Sequence, residues 1–264
     1  MDITIIMALA APLMTWLLTA LGAGTVVFLR SPSQRLMNLL LGFASGVMIA
    51  ASFWSLLQPA IERAEESLSV PSYLVVTAGF LFGAVFVWGS DKVVTYTRRR
   101  ATGEGNSGCT RRIIMLILSI TLHNIPEGLA VGVAFGALRG NLTPEGMMGA
   151  ITIAMGIGLQ NFPEGAAVSL PLKREGFSGK KSFLYGQASG LVEPLAGVLG
   201  ALLVSYVTAL LPFALSFAAG AMILVAVHEL IPECQKDQED QPYFATMGII
   251  FGFAVMMLLD VMLG

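Results

Sequence analysis

Leu122-His123-Asn124-Ile125-Pro126-Glu127-Gly128 and Leu159-Gln160-Asn161-Phe162-Pro163-Glu164-Gly165 are two copies of one pattern: a polar pair, an apolar residue, then Pro-Glu-Gly. The copies stand 37 residues apart, each inside a long apolar run. Four-residue spacing puts His123 and Glu127 on one helical face, and likewise Gln160 and Glu164. Pro126 cannot donate to the Leu122 carbonyl, nor Pro163 to that of Leu159, so each proline is expected to kink its helix and free a carbonyl.

Working outward, the runs on either side have the same apolar character. Of 264 residues, 55% are hydrophobic and only 12% charged, against about a quarter charged in a soluble domain. Crossing the hydrocarbon core takes roughly 20 apolar residues as helix. Eight spans are expected, at about 3–29, 36–58, 71–90, 113–136, 147–170, 183–207, 213–233 and 243–263. The chain reads as a single all-α transmembrane domain. Its 29 glycines favour close helix contacts. Pro32, Pro59, Pro71, Pro144, Pro171 and Pro242 fall at or near span ends, where a missing N–H costs least.

Basic residues sort by side. Thirteen of the 15 Lys and Arg lie in loops one, three, five and seven (Arg30, Arg35; Lys92, Arg98, Arg99, Arg100, Arg111, Arg112; Lys173, Arg174, Lys180, Lys181; Lys236). Arg63 and Arg139 remain for the other face. The positive-inside rule then puts the odd loops in the cytoplasm and both termini outside. Arg98–Arg100 read as a topology determinant beside anionic lipid rather than a nucleic-acid patch. Cys109 and Cys234 form no CxxC pair, which supports neither a disulfide framework nor a thiolate cage. The first apolar run lacks a basic leader and reads as a retained membrane helix.

Against this background the buried carboxylates stand out. Glu127, Glu164, Glu193 and Glu229 fall within spans, as do both histidines, His123 and His228. An ionisable side chain at mid-bilayer costs about 2.5–3.5 kcal/mol on the lenient scale. Four unpaired would cost on the order of 10 kcal/mol, comparable to a protein's net stability. No Lys or Arg lies at that depth, which leaves protons or metal cations as partners. One imidazole, several amides and several carboxylates without thiolates suit Zn²⁺ and neighbours such as Mn²⁺, Fe²⁺, Co²⁺ and Cd²⁺, and disfavour Cu⁺. Glu233 reads as interfacial. Asp260 either lines an outer vestibule or marks the end of the last helix. Met48 either lines an entrance or packs in the core, the second reading being favoured.

At these residues the chain resembles the ZIP (zinc/iron-regulated transporter-like) family, in its bacterial short-loop branch. The resemblance rests on the two Pro-Glu-Gly motifs, the Glu193-Pro194 pair of span six and the His228-Glu229 pair of span seven. It implies a 3+2+3 arrangement with spans one to three and six to eight as inverted repeats, and a homodimer in the bacterial cytoplasmic membrane. It also implies an intramembrane metal centre, often binuclear, with His123, Asn124, Glu127, Gln160, Asn161, Glu164 and Glu193 as ligands and Glu127 and Glu164 as bridges. His228 and Glu229 would serve the route to the cytoplasm. The cargo would be a divalent metal, Zn²⁺ first, with no organic cofactor and no nucleic-acid partner. Neutral Asn161 stands where many relatives have an acid or histidine, which weakens a second site. An intramembrane metalloenzyme is disfavoured because HExxH and Glu-x-x-His are absent. A proton-coupled carrier of an organic solute would use the carboxylates as relays, which the amide-rich set makes less attractive.

Overall fold

The computed structural model describes residues 3–28, 33–100, 108–140, 142–235 and 243–263. Arg30, Pro32, Lys236 and Pro242 lie outside the described residues, as do the side chains of Arg98, Arg99, Arg100, Cys109, Arg111 and Arg112. Among the described residues there is no β-strand.

The helices are α1 (Ile3–Gly24), α2 (Gln34–Ala51), α3 (Gln58–Ser67), α4 (Ser72–Arg100), α5 (Gly108–Gly136), α6 (Pro144–Arg174), α7 (Gly179–Ser189), α8 (Val192–Tyr206), α9 (Leu211–Val225), α10 (Ile231–Cys234) and α11 (Phe244–Leu263). Their starts follow capping chemistry: the Ser33, Thr143 and Ser178 hydroxyls accept from the Leu36, Gly146 and Lys181 N–H groups. Pro144 occupies the first turn of α6, and Gly176, at φ 93°, follows its end.

Among the described residues, six rods are long and apolar enough to cross a membrane: Ile6–Val27, Gln34–Ser67, Ser72–Val93, Gly179–Tyr206, Thr208–Cys234 and Phe244–Leu263. The protein is an all-α, multi-pass membrane protein. Its surface agrees, with Leu81, Phe82, Leu195, Phe251 and Val261 all exposed while polar groups are buried. The two remaining long helices, α5 and α6, have 29 and 31 residues. In α6 the polar motif itself, Gln160-Asn161 with Pro163, dilutes the apolar run.

Two rods contain a π-helical segment before a proline. Ser52–Leu57 precedes Pro59, and Ala226–Leu230 precedes Pro232. In both, the N–H just before the proline reaches five residues back, Gln58 to the Phe53 carbonyl and Ile231 to that of Ala226. π-segments of this kind recur at functional sites.

By their closest pairings the helices fall into two groups, which meet chiefly along α2–α6 and α5–α9. α1, α5, α6, α7 and α8 pack together, and α2, α4, α9 and α11 form the other group through the pairs α2–α11 and α4–α9. Glycines set these contacts. A Cβ on Gly132 would strike the Gly197 backbone, one on Gly165 the Thr19 carbonyl, one on Gly46 the Ile249 carbonyl and one on Gly83 the Phe217 carbonyl. All four contacts lie within a group. Gly156 is different: it faces the Met256 side chain across the divide.

Candidate metal centre

The site residues come from α5, α6, α8 and the π-segment of α9. Both motif helices run unbroken through Pro126 and Pro163. The backbone breaks instead at Gly190-Leu191, between α7 and α8, just ahead of Glu193. Side chains secure this break. Asn124 Nδ2 donates to the Ser189 carbonyl at 2.9 Å, and Trp16 Nε1 donates to the Gln187 carbonyl at 2.9 Å. Glu193 sits in the first turn of α8, where the helix dipole favours a carboxylate.

His123, Asn124, Glu127, Gln160, Asn161, Glu164 and Glu193 are all buried. Gln160 Nε2 donates to Glu127 Oε1 at 2.7 Å, and Asn161 Nδ2 donates to Glu193 Oε2 at 2.7 Å and to the Thr15 carbonyl at 3.1 Å. The adjacent Gln160 and Asn161 thereby link Glu127 to Glu193 among these seven buried residues. Five of their oxygens, Asn124 Oδ1, Glu127 Oε2, Gln160 Oε1, Asn161 Oδ1 and Glu164 Oε1, are buried without a hydrogen-bond partner in the protein. Each such group costs about 1–3 kcal/mol. An oxygen-binding cation would relieve that cost, which a purely structural network would leave standing.

Among the described residues no group of three or more His, Cys, Asp or Glu converges tightly enough to hold a metal ion. The pairings explain this: Glu127 is engaged by Gln160, Glu193 by Asn161, and His123 by Glu229, at 2.7 Å from Nε2 to Oε1. A cation here would draw on amide oxygens as well as carboxylates, and side chains now paired would turn inward.

The outlying candidates separate. Glu229 reaches the centre through His123, whereas the adjacent His228 is exposed. Met48 is fully buried in the largest apolar cluster, beside Leu56, Ile157 and Met222, the packing environment. Asp260 is buried and accepts from Ser55 Oγ of the first π-segment at 2.6 Å, while its Oδ2 has no partner in the protein. Thr15, Thr19 and Trp16 of α1 are site residues that sequence reading missed. The four-residue spacing of Thr15 and Thr19 in an otherwise apolar helix was the available signal.

A sequence model of the family described as ZIP Zinc transporter matches residues 106–260. The chain is 40% identical to Zinc transporter ZIP11 of Xenopus tropicalis, over 98% of each chain. It is 35% identical to Zinc transporter GufA of Myxococcus xanthus, over 97% of this chain and 98% of the relative. With Zinc transporter ZIPB of Bordetella bronchiseptica it shares 37% identity, over 93% of this chain and 78% of the relative.

Proposed function

The chain belongs to the ZIP zinc transporter family, and from that premise we propose that it imports a divalent transition metal, zinc first, into the cytoplasm of a bacterial cell. It is a transporter rather than an enzyme. The observation that carries the reading is the set of five unpartnered oxygens buried on the two Pro-Glu-Gly helices. These donors suit zinc and its divalent neighbours.

In this reading α5 and α6 complete a set of eight spans, with both termini outside and the basic loops inside. An inverted 3+2+3 repeat finds support in the paired contacts. Exchanging spans one, two and three for six, seven and eight turns the α2–α11 pair into the α9–α4 pair, and matches the two π-segments with their following prolines. The homodimer has the family resemblance alone behind it.

A hydrated cation would arrive from outside past Asp260 and the acidic α3, with Glu62, Glu65 and Glu66. It would shed water at Glu127, Gln160 and Glu164, where fixed oxygens replace hydration. Since the glycine-to-backbone contacts lie within each group and Gly156 meets only a flexible side chain across the divide, the groups are suited to move as bodies against one another. Release would follow inward opening, with Glu229 reclaiming His123 and His228 offering a weaker step on the way out.

The test is flux into liposomes loaded with a metal dye, comparing Zn²⁺, Cd²⁺, Fe²⁺ and Mn²⁺. Saturable Zn²⁺ uptake that disappears in Glu164→Ala is the expected result. Uptake that persists unchanged in that variant would rule out this site as the route.

A further inference from the structure

The three glutamates of the centre are not equivalent. Glu127 and Glu164 each keep one buried oxygen without a partner, but Glu193 keeps none. Thr15 Oγ1 donates to Glu193 Oε2 at 2.7 Å, Asn161 Nδ2 to the same oxygen at 2.7 Å, and Thr19 Oγ1 to Oε1 at 3.3 Å. Thr15 also approaches the Pro12 carbonyl, at the longer distance of 3.0 Å. Gly190 closes the cage from the helix break: a Cβ there would lie 3.0 Å from Glu193 Oε1 and 3.1 Å from Thr19 Oγ1. Glu193 is fully buried inside it.

The orientation of the Asn161 amide follows from its neighbours. Both of its contacts, the Thr15 carbonyl and the Glu193 carboxylate, are acceptors, so the nitrogen must face them. An aspartate at this position would set an oxygen against two oxygens. The cage is therefore built from donors, and donors are what a carboxylate requires when no cation is bound to it.

We propose that Thr15, Thr19 and Asn161 stand in for a second cation, so that Glu193 anchors α1 to α8 and the centre carries one divalent ion per chain. This rests on the transport reading above and deepens it. The free oxygens agree. Neutral donors stabilise the Glu193 carboxylate without cancelling its charge, which leaves Glu127 and Glu164, each with an unpartnered oxygen, as the two carboxylates free to face one divalent ion. Thr15 and Thr19 are thus positioning residues that set stoichiometry, and Asn161 completes their cage.

The experiment counts metal on the purified full chain in nanodiscs, by equilibrium dialysis against Cd²⁺ or Zn²⁺ with calorimetry for affinity. The wild type is expected to hold one ion per chain. Glu193→Gln is expected to keep that ion with affinity within about tenfold. Thr15→Ser keeps a hydroxyl and should also hold one ion. Thr15→Val combined with Asn161→Asp replaces donors with an acceptor and should gain a second ion. Two ions on the wild type, a larger loss in Glu193→Gln, or a combined variant that folds and still holds one ion would overturn the proposal. Should the combined variant fail to fold, the first two measurements decide. A wild type that binds no metal, or a Glu164→Gln variant that binds as the wild type does, would instead defeat the transport reading.

Discussion

His123 Nε2 lies 2.7 Å from Glu229 Oε1, joining the first Pro-Glu-Gly helix to the π-segment of α9 across the divide between the two helix groups. A nitrogen that donates its proton to Glu229 cannot also give a lone pair to a cation. Removing the carboxylate in Glu229→Ala should free the imidazole and tighten Zn²⁺ binding about tenfold, the value of a charged hydrogen bond of roughly 1.5 kcal/mol. Uptake should slow, because release loses its competitor. Calorimetry beside liposome flux measures both, and unchanged affinity would mean that the imidazole serves metal through Nδ1.

Glu127 Oε2 and Glu164 Oε1 are both buried without a hydrogen-bond partner, while Glu127 Oε1 accepts from Gln160. Glu127→Ala and Glu164→Ala should each reduce Zn²⁺ flux at least about a hundredfold, the loss of roughly 3 kcal/mol of charged-ligand binding. Dye-loaded liposomes read this directly, with size exclusion confirming a folded chain.

Acid should weaken binding. Carboxylate and imidazole ligands must be deprotonated to hold metal, so protons compete with the cation. Apparent affinity measured between about pH 8 and pH 5 should fall as pH falls. A flat profile would point to the amide oxygens as the dominant ligands.

Gly132 and Gly156 provide a contrast in packing. A Cβ on Gly132 would collide with the Gly197 backbone, whereas one on Gly156 would meet the flexible end of Met256. Gly132→Ala should lose about 1–3 kcal/mol, the usual range for overpacking, and Gly156→Ala distinctly less. Thermal unfolding in detergent ranks the two, and equal losses would contradict a division into tightly knit groups with a softer boundary.

Labelling checks the proposed orientation. In a background with both cysteines replaced, Ser69→Cys should react with an impermeant maleimide on intact cells. Lys180→Cys, in the exposed first turn of α7, should react only after permeabilisation. The reverse pattern would invert the assigned topology.

Much of this protein is legible residue by residue. The apolar runs, the charge asymmetry of the loops and the duplicated motif with His123, Glu127, Gln160 and Glu164 all follow from composition and spacing. Periodicity also identifies the faces on which those side chains lie. The irregular backbone is where expectation and structure part. Pro126 and Pro163 look like the breakpoints, yet the chain breaks before Glu193, and π-segments form ahead of Pro59 and Pro232. A proline reports a missing N–H, but which neighbouring carbonyl goes unpaired depends on what packs against the helix.

By itself the sequence determined that the helices are apolar enough to span a membrane and that carboxylates fall within those apolar runs, because hydropathy and charge are properties of single residues. Only the tertiary structure decided who the partners of those carboxylates are. Thr15 and Thr19 lie more than 170 positions from Glu193, yet each donates a hydrogen bond to its carboxylate. Glu229 similarly takes His123 from another helix. Hydrogen bonds act over about 3 Å of space whatever the separation along the chain, so the division of labour among three similar glutamates depends on how the helices pack.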